Sequence, residues 1–144
     1  MKTVTACDLG IEVTNVGGVF RWLLASFLVG KRIRSSVALR AYRILVDEQG
    51  LDTPQKLSHA THATLVRLLG QAGYARYDES TARRLHALGK KVDAELGVQL
   101  EALREDPGGE SFKRWLLSFE GIGPKTLEIF MRERPFHLTM FEGH

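Results

Sequence analysis

The sequence predicts an all-α protein, a compact multi-helix orthogonal bundle. Apolar side chains recur every three or four residues through most of the chain, which is the period of amphipathic helices. Alternation of apolar and polar residues is almost absent after residue 16, and a content of 44% hydrophobic and 26% charged residues is typical of one folded domain. We expect about six to eight helices in one domain over residues 16–144, preceded by a strand or ordered arm over residues 1–15.

The first helix is expected to form the centre of the core. It would run from Val16 to Val29, where apolar residues lie on every side of the helix. The residues expected to point inward are Phe20, Leu23, Leu24, Phe27 and Leu28. The apolar stretch is interrupted by Arg21 and stops at Lys31, far short of the roughly 20 apolar residues that a membrane span needs. We therefore expect no association with a membrane.

Capping residues and glycines set the expected limits of the later helices. Polar side chains that precede a helical pattern are common N-caps, and those found here are Ser35 or Ser36, Thr53, Thr61 and Asp78. Glycines often end helices, and those found here are Gly70 with Gly73, and Gly97. The second helix would reach about Val46. The later helices are expected from Glu79 to about Leu96, near Val98 to Arg104 and over Phe112–Phe119, with a turn at residues 106–109 before the last.

Charge is unevenly distributed along the chain. The 20 Lys and Arg exceed the 17 Asp and Glu by little, but residues 1–46 contain seven basic and two acidic residues. This local positive field is compatible with a nucleic-acid partner. The single cysteine, Cys7, excludes an internal disulfide and a four-thiolate iron–sulfur cluster. The amino terminus lacks the basic segment and the apolar core of a secretory signal. We therefore expect the protein in the cytoplasm.

Histidine and tryptophan positions favour structural roles. His59 and His62 are three residues apart on an expected helix, but no third ligand of fitting spacing is visible, so no metal site is predicted there. Trp22 and Trp115 occupy apolar helical positions and are expected in the core rather than on a base-stacking surface.

The most informative segment runs from Trp115 to Phe130 and is predicted to form a helix, a tight hairpin and a second helix. Gly121 and Gly123 allow backbone angles that a Cβ forbids, and Ile122 between them can plug the core. Pro124 fits the first turn of the second helix. Free amide groups at the start of that helix form an anion site sized for a phosphate. The hairpin therefore favours nucleic-acid binding.

The stretch Phe119-x-Gly-Ile-Gly-Pro-Lys-Thr resembles the helix-hairpin-helix motif of the endonuclease III-like DNA glycosylases, Leu-Pro-Gly-Val-Gly-x-Lys-Thr-Ala. The segments 69–74 and 81–85 resemble the family's Ile-x-x-x-Gly-Tyr-x-x-x-Lys-Ala-x-x-Leu stretch, and the first two helices with their basic turn resemble the family's first helices. The resemblance spans residues 17–131. It implies a base-excision-repair glycosylase or abasic-site lyase that binds duplex DNA and acts on damaged bases or abasic sites.

The resemblance also implies roles for individual residues. Lys125 would attack the sugar C1′ as a Schiff-base nucleophile, and Glu142, in place of the family's aspartate, would stabilise the cationic transition state. The residues expected to bind DNA are Gly121, Ile122, Gly123, Lys125, Thr126, Lys31, Arg32 and Arg34. The main-chain carbonyls expected to hold a monovalent cation, the one cofactor implied, are those of Leu117, Phe119 and Ile122.

The sequence departs from the family pattern after the hairpin, where further helices and a four-cysteine iron–sulfur loop are expected and not found. The chain would then correspond to the six-helix barrel lobe, with an exposed face covered by a homodimer, by the residues 1–15 arm or by another protein chain. Three functions stay open. They are a damage-processing enzyme, a catalytically inactive DNA-binding module or subunit of a larger complex, and a protein-interaction domain. In a bacterium or archaeon, association with the nucleoid is expected.

Overall fold

The structure, a computed structural model, describes residues 4–106 and 108–133. All regular structure in these ranges is helical, so the predicted all-α class is confirmed. The α-helices are α1 (Val16–Val29), α2 (Ser35–Tyr42), α3 (Pro54–His59), α4 (His62–Ala72), α5 (Asp78–Glu105), α6 (Glu110–Leu117) and α7 (Pro124–Met131). Two short 3-10 turns, Cys7–Leu9 and Ala75–Tyr77, and a π-helix, Arg43–Glu48, complete them. None of the described helices is both long enough and apolar enough to span a membrane.

Helix α1 lies at the centre of the core, as its composition predicts. The side chains predicted to point inward, Phe20, Leu23, Leu24, Phe27 and Leu28, are at most 1% exposed. Asn15 caps the helix by accepting a hydrogen bond from the Gly18 N–H at 2.8 Å. Helices α2 and α7 both pack against α1. Trp22 is fully buried, and its indole Nε1 donates to the Phe130 carbonyl at 3.0 Å, which fixes α7 to α1.

Helix α5 is one helix of 28 residues, so the predicted break at Gly97 is wrong. A glycine inside a helix costs about 1 kcal/mol relative to alanine. The apolar stripe of the helix continues past Gly97, and its buried members are Leu85, Leu88, Val92, Leu96, Leu100 and Leu103. Burial of the last two leucines outweighs the local cost of the glycine, since each contributes roughly 2 kcal/mol. Helices α3, α4 and α6 all pack against α5.

Two predicted N-caps are confirmed and two are wrong. The hydroxyl groups of Thr53 and Thr61 each accept a backbone N–H three residues on, at 3.2 and 3.1 Å. Ser35 and Asp78 are instead the first residues of α2 and α5, and neither helix has a side-chain hydrogen bond at its N-cap.

The ends of α2 and α4 also differ in part from expectation. Helix α2 ends at Tyr42, and the chain continues as the Arg43–Glu48 π-helix, in which Ile44, Leu45 and Val46 are buried. Gly73 ends α4 with φ +106°, the left-handed conformation that glycine adopts readily, whereas Gly70 lies inside the helix.

The described part of the arm, residues 4–15, contains the Cys7–Leu9 turn and no strand. Ala6 and Ile11 are buried in the same core as the helices. The Ala6 N–H donates to Oε2 of Glu133 at 3.0 Å, so the arm is held beside the end of α7.

Candidate nucleic-acid interface

Residues 118–123, here called the hairpin, connect α6 to α7. Gly121 has φ +92°, a conformation that strains any other residue, and Ile122 is 6% exposed and packs in the core, as predicted. Gly123 has an ordinary φ of −116°, and a Cβ built on it would meet no atom within 4 Å. The predicted need for glycine is therefore confirmed at Gly121, while neither the backbone nor the packing of the protein requires glycine at Gly123.

The basic turn, residues 31–34, lies against the hairpin. Nζ of Lys31 donates a hydrogen bond to the Gly121 carbonyl, across 90 positions of sequence, and lies 4.2 Å from the centroid of the Phe27 ring. A Cβ on Gly121 would approach Lys31, Arg84 and Phe27 to between 3.0 and 3.3 Å. The basic turn and the hairpin, which were each predicted to bind DNA, are thus in contact and form one surface.

Helix α5 supplies three more cations to the hairpin. Arg83 and Arg84 both pair with the Glu120 carboxylate, at 3.1 and 3.3 Å. Lys91 donates to the Ser118 hydroxyl at 2.6 Å and lies 4.7 Å from the Phe119 ring centroid. Sequence reasoning did not assign these residues to the site. The seven-residue spacing of Arg84 and Lys91, two turns on one helix face, is the signal that would have grouped them.

A cavity of about 210 Å³ lies beside Lys31. Its walls come from the basic turn, from the segment before α5 and from α5 itself, and include Lys31, Arg32, Tyr74, Tyr77, Thr81 and Arg84. Tyr74 is 1% exposed, and its hydroxyl has no hydrogen-bond partner among the described residues. Burial raises the pKa of Tyr74 above its ordinary value. The Gly-Tyr segment that contributes to the family resemblance therefore lies next to the basic turn.

Burial of the ammonium group lowers the pKa of Lys31 from 10.5 to about 8. The value of about 8 includes a smaller lowering by the positive charge of Arg84 and an opposing effect of the negative charge of Glu120. The described residues give Lys31 no ion pair with a carboxylate, because Glu120 pairs with the two arginines of α5. Lys31 is thus a partly buried amine whose only hydrogen-bond acceptor there is a main-chain carbonyl.

We expect the free energy of unfolding to rise with pH between about 8 and 10.5, the folded and unfolded pKa values of Lys31. In this window the unfolded chain keeps a proton on Lys31 that the folded chain has lost, so deprotonation favours folding. Above about pH 10.5 the trend should reverse, because the folded-state pKa of Tyr42 is raised from 10.0 to about 12. Urea unfolding at about pH 7 and about pH 9.5 measures the rise, and Lys31→Met should lack it. If the free energy of unfolding changes equally with pH in the wild type and in Lys31→Met, the rise does not come from Lys31.

The other predicted site residues lie in different surroundings. Lys125 is exposed in the first turn of α7, Arg32 is exposed at the cavity, and Arg34 is the exposed N-cap residue of α2. Thr126 is 2% exposed and packs against Gly30, so its side chain does not reach the surface where DNA contact was predicted. Glu142 lies outside the described residues.

The main-chain carbonyls assigned by resemblance to a monovalent cation occupy the hairpin and the end of α6. The Phe119 carbonyl accepts the Ile122 N–H at 3.2 Å, whereas no loop or cap N–H of the described residues donates to the Leu117 or Ile122 carbonyl. Carbonyl oxygens suit hard cations, and the expectation of a monovalent cation at these three carbonyls stays a prediction. In the described ranges, no group of three or more His, Cys, Asp or Glu is placed to bind a metal ion.

Comparison with known proteins gives no relative. No protein-family model matches the chain, and neither the curated proteins nor the solved structures contain a match. The resemblance to the endonuclease III-like glycosylases therefore rests only on the sequence segments named above.

Proposed function

We propose that the protein binds duplex DNA and acts in base excision repair on damaged bases or abasic sites. The observation that carries the proposal is the hydrogen bond from Lys31 to the Gly121 carbonyl, which holds the basic turn against the hairpin. The resemblance assigns both segments to DNA contact. A basic segment beside a hairpin that leads into a helix N-terminus is suited to two neighbouring stretches of phosphate backbone.

The hairpin leaves room for a phosphate. Gly123 is the N-cap residue of α7, and no side chain caps this helix. The first N–H groups of α7 are therefore available to an anion, except at Pro124, which has none. Open space around the missing Cβ of Gly123 allows a phosphate to approach the backbone closely.

The charge around the hairpin suits a polyanion. Lys31, Arg84 and Lys91 all contact hairpin residues, and Glu120 is the carboxylate among those contacts. Neutralising phosphates with such cations releases counterions, so affinity should fall steeply with salt concentration.

Gly123→Ala is expected to lower stability by less than about 1 kcal/mol, because alanine is a poorer N-cap residue than glycine. It should weaken duplex DNA binding about tenfold, a loss of about 1.4 kcal/mol. Alanine adopts the observed backbone conformation and meets no protein atom, but its methyl group occupies the space left for a phosphate. Fluorescence anisotropy with a labelled duplex at several salt concentrations measures the affinity. The control is Gly97→Ala, an exposed position on α5 with no atom near its Cβ, which should bind as the wild type does.

The possible results separate the proposed functions. Equal affinities of Gly123→Ala and wild type would remove the hairpin from the interface. Failure of the wild type to bind even at low salt would reject DNA binding and favour a protein-interaction domain.

The chemical step is assigned by resemblance to an amine and a carboxylate, Lys125 and Glu142. A second candidate function is a DNA-binding module without chemistry. The surroundings of Lys125 favour it, because this exposed side chain has no hydrogen bond or ion pair within the described ranges. Binding of an abasic duplex without covalent capture by borohydride would argue against lyase chemistry. If duplexes with damaged bases also show no base release, the module is supported over the enzyme.

A further inference from the structure

Lys31 has the surroundings that make an amine nucleophilic. Enzymes activate lysine by removing it from water or by placing it next to another cation. Lys31 meets both conditions, since its side chain is half-buried where the basic turn meets the hairpin and Arg84 lines the same cavity. The Glu120 carboxylate, whose negative charge favours the ammonium form of Lys31, is paired with Arg83 and Arg84 of α5. A pKa lowered to about 8 agrees with this geometry, because a larger fraction of the amine is then neutral near pH 7.

The cavity beside Lys31 limits the size of the molecule that can react with the amine. At about 210 Å³ it is smaller than the roughly 300–1,000 Å³ of sites for drug-sized ligands, so it fits a single sugar or ring. Arg32 and Arg84 offer guanidinium groups to a phosphate at its wall. Tyr74 also lines the cavity, and its buried hydroxyl has no hydrogen-bond partner among the described residues.

We propose that Lys31 is a nucleophilic amine that forms an imine with a small aldehyde bound in this cavity, preferentially an aldehyde flanked by phosphate. The open-chain sugar of an abasic site has this chemistry, and that choice of ligand rests on the proposed function. The neutral Nζ attacks the carbonyl carbon and forms a carbon–nitrogen bond. The carbonyl oxygen leaves as water with the two protons of the amine, and the imine remains. The reacting amine would thus be Lys31 rather than Lys125, the position that the resemblance assigns.

The first experiment uses a free aldehyde and needs no DNA. The intact protein is treated with formaldehyde and cyanoborohydride at about pH 7, and the modified lysines are quantified by peptide mass spectrometry. The matched control within the chain is Lys91, which also lies over a phenylalanine ring and also contacts the hairpin. We expect Lys31 to be modified about tenfold faster than Lys91. A rate at Lys31 no greater than that at Lys91 would overturn the proposal.

The second experiment identifies the source of the aldehyde. The protein is mixed with a duplex containing one abasic site, borohydride is added to reduce the imine, and the lysine carrying the adduct is identified by mass spectrometry. An adduct on Lys31 that disappears in Lys31→Arg supports the abasic sugar as ligand. The arginine keeps a cation and a donor for the Gly121 carbonyl, and circular dichroism verifies that the variant is folded.

The remaining results separate this proposal from the proposed function. Fast formaldehyde labelling of Lys31 without DNA binding would support the reactive amine and reject the function in DNA repair. Fast labelling with an adduct only on Lys125 would support Lys31 as an amine for free aldehydes and overturn the abasic sugar as its ligand.

Discussion

Trp22→Ala is expected to lower the free energy of unfolding by about 3–5 kcal/mol, as for other fully buried tryptophans. Trp22 is 0% exposed, so alanine would leave a large cavity at the centre of α1. The substitution also leaves the buried Phe130 carbonyl without the indole N–H that lies 3.0 Å from it. Because domains of this size are stable by only about 5–15 kcal/mol, a large part of the stability would be lost.

Equilibrium urea unfolding followed by circular dichroism measures this loss. Trp22→Phe is the matched control, because it keeps an aromatic ring but has no N–H donor, and it should cost about 1–3 kcal/mol. A loss below about 1 kcal/mol for Trp22→Ala would show that α7 is not fixed to α1 as the structure describes.

Gly30→Ala is the second substitution with a large expected effect, a loss of about 2 kcal/mol from overpacking. The backbone of Gly30, with φ −72°, is one that alanine adopts easily. The cost is instead steric, because a Cβ there would collide with Oγ1 of Thr126 and lie 3.2 Å from its Cα. The end of α1 and the start of α7 approach each other this closely only because residue 30 has no side chain.

The matched control for Gly30→Ala is Gly97→Ala, which should change the free energy of unfolding in the opposite direction. Gly97 lies exposed inside α5, and a Cβ added to it would have no atom within 4 Å, so alanine should stabilise the helix by about 0.5–1 kcal/mol. Thermal unfolding of both variants measures the two changes. Stabilisation by both, as helix propensity alone would predict, would mean that α1 and α7 are further apart than described.

The fold was predictable where the signal is local. Helix α1 has apolar residues on every side, and Thr53 and Thr61 are the polar residues that begin helices. Gly97 predicted a break where the structure has the single long α5. Burial of Leu100 and Leu103 overrides the low helix propensity of this glycine.

In the candidate site, too, local features were predictable and long-range contacts were not. The turn at Gly121 follows from local chemistry and was predicted. The inward position of Thr126 depends on Gly30, which is distant in sequence, and the contact of Lys31 with the hairpin spans 90 residues. Such contacts depend on the packing of α1, α5 and α7 around the core, which the hydrophobic pattern of each segment does not specify.

The pairing of α1 with α7 also constrains how the chain is made. Trp22 and Phe130, which join these helices, are 108 residues apart. At a synthesis rate of about 5–20 residues per second, α7 leaves the ribosome roughly 5–20 s after α1. During this interval α1, the most apolar segment of the protein, has no α7 to cover it. The nascent chain is therefore expected to depend on chaperones until α7 has emerged.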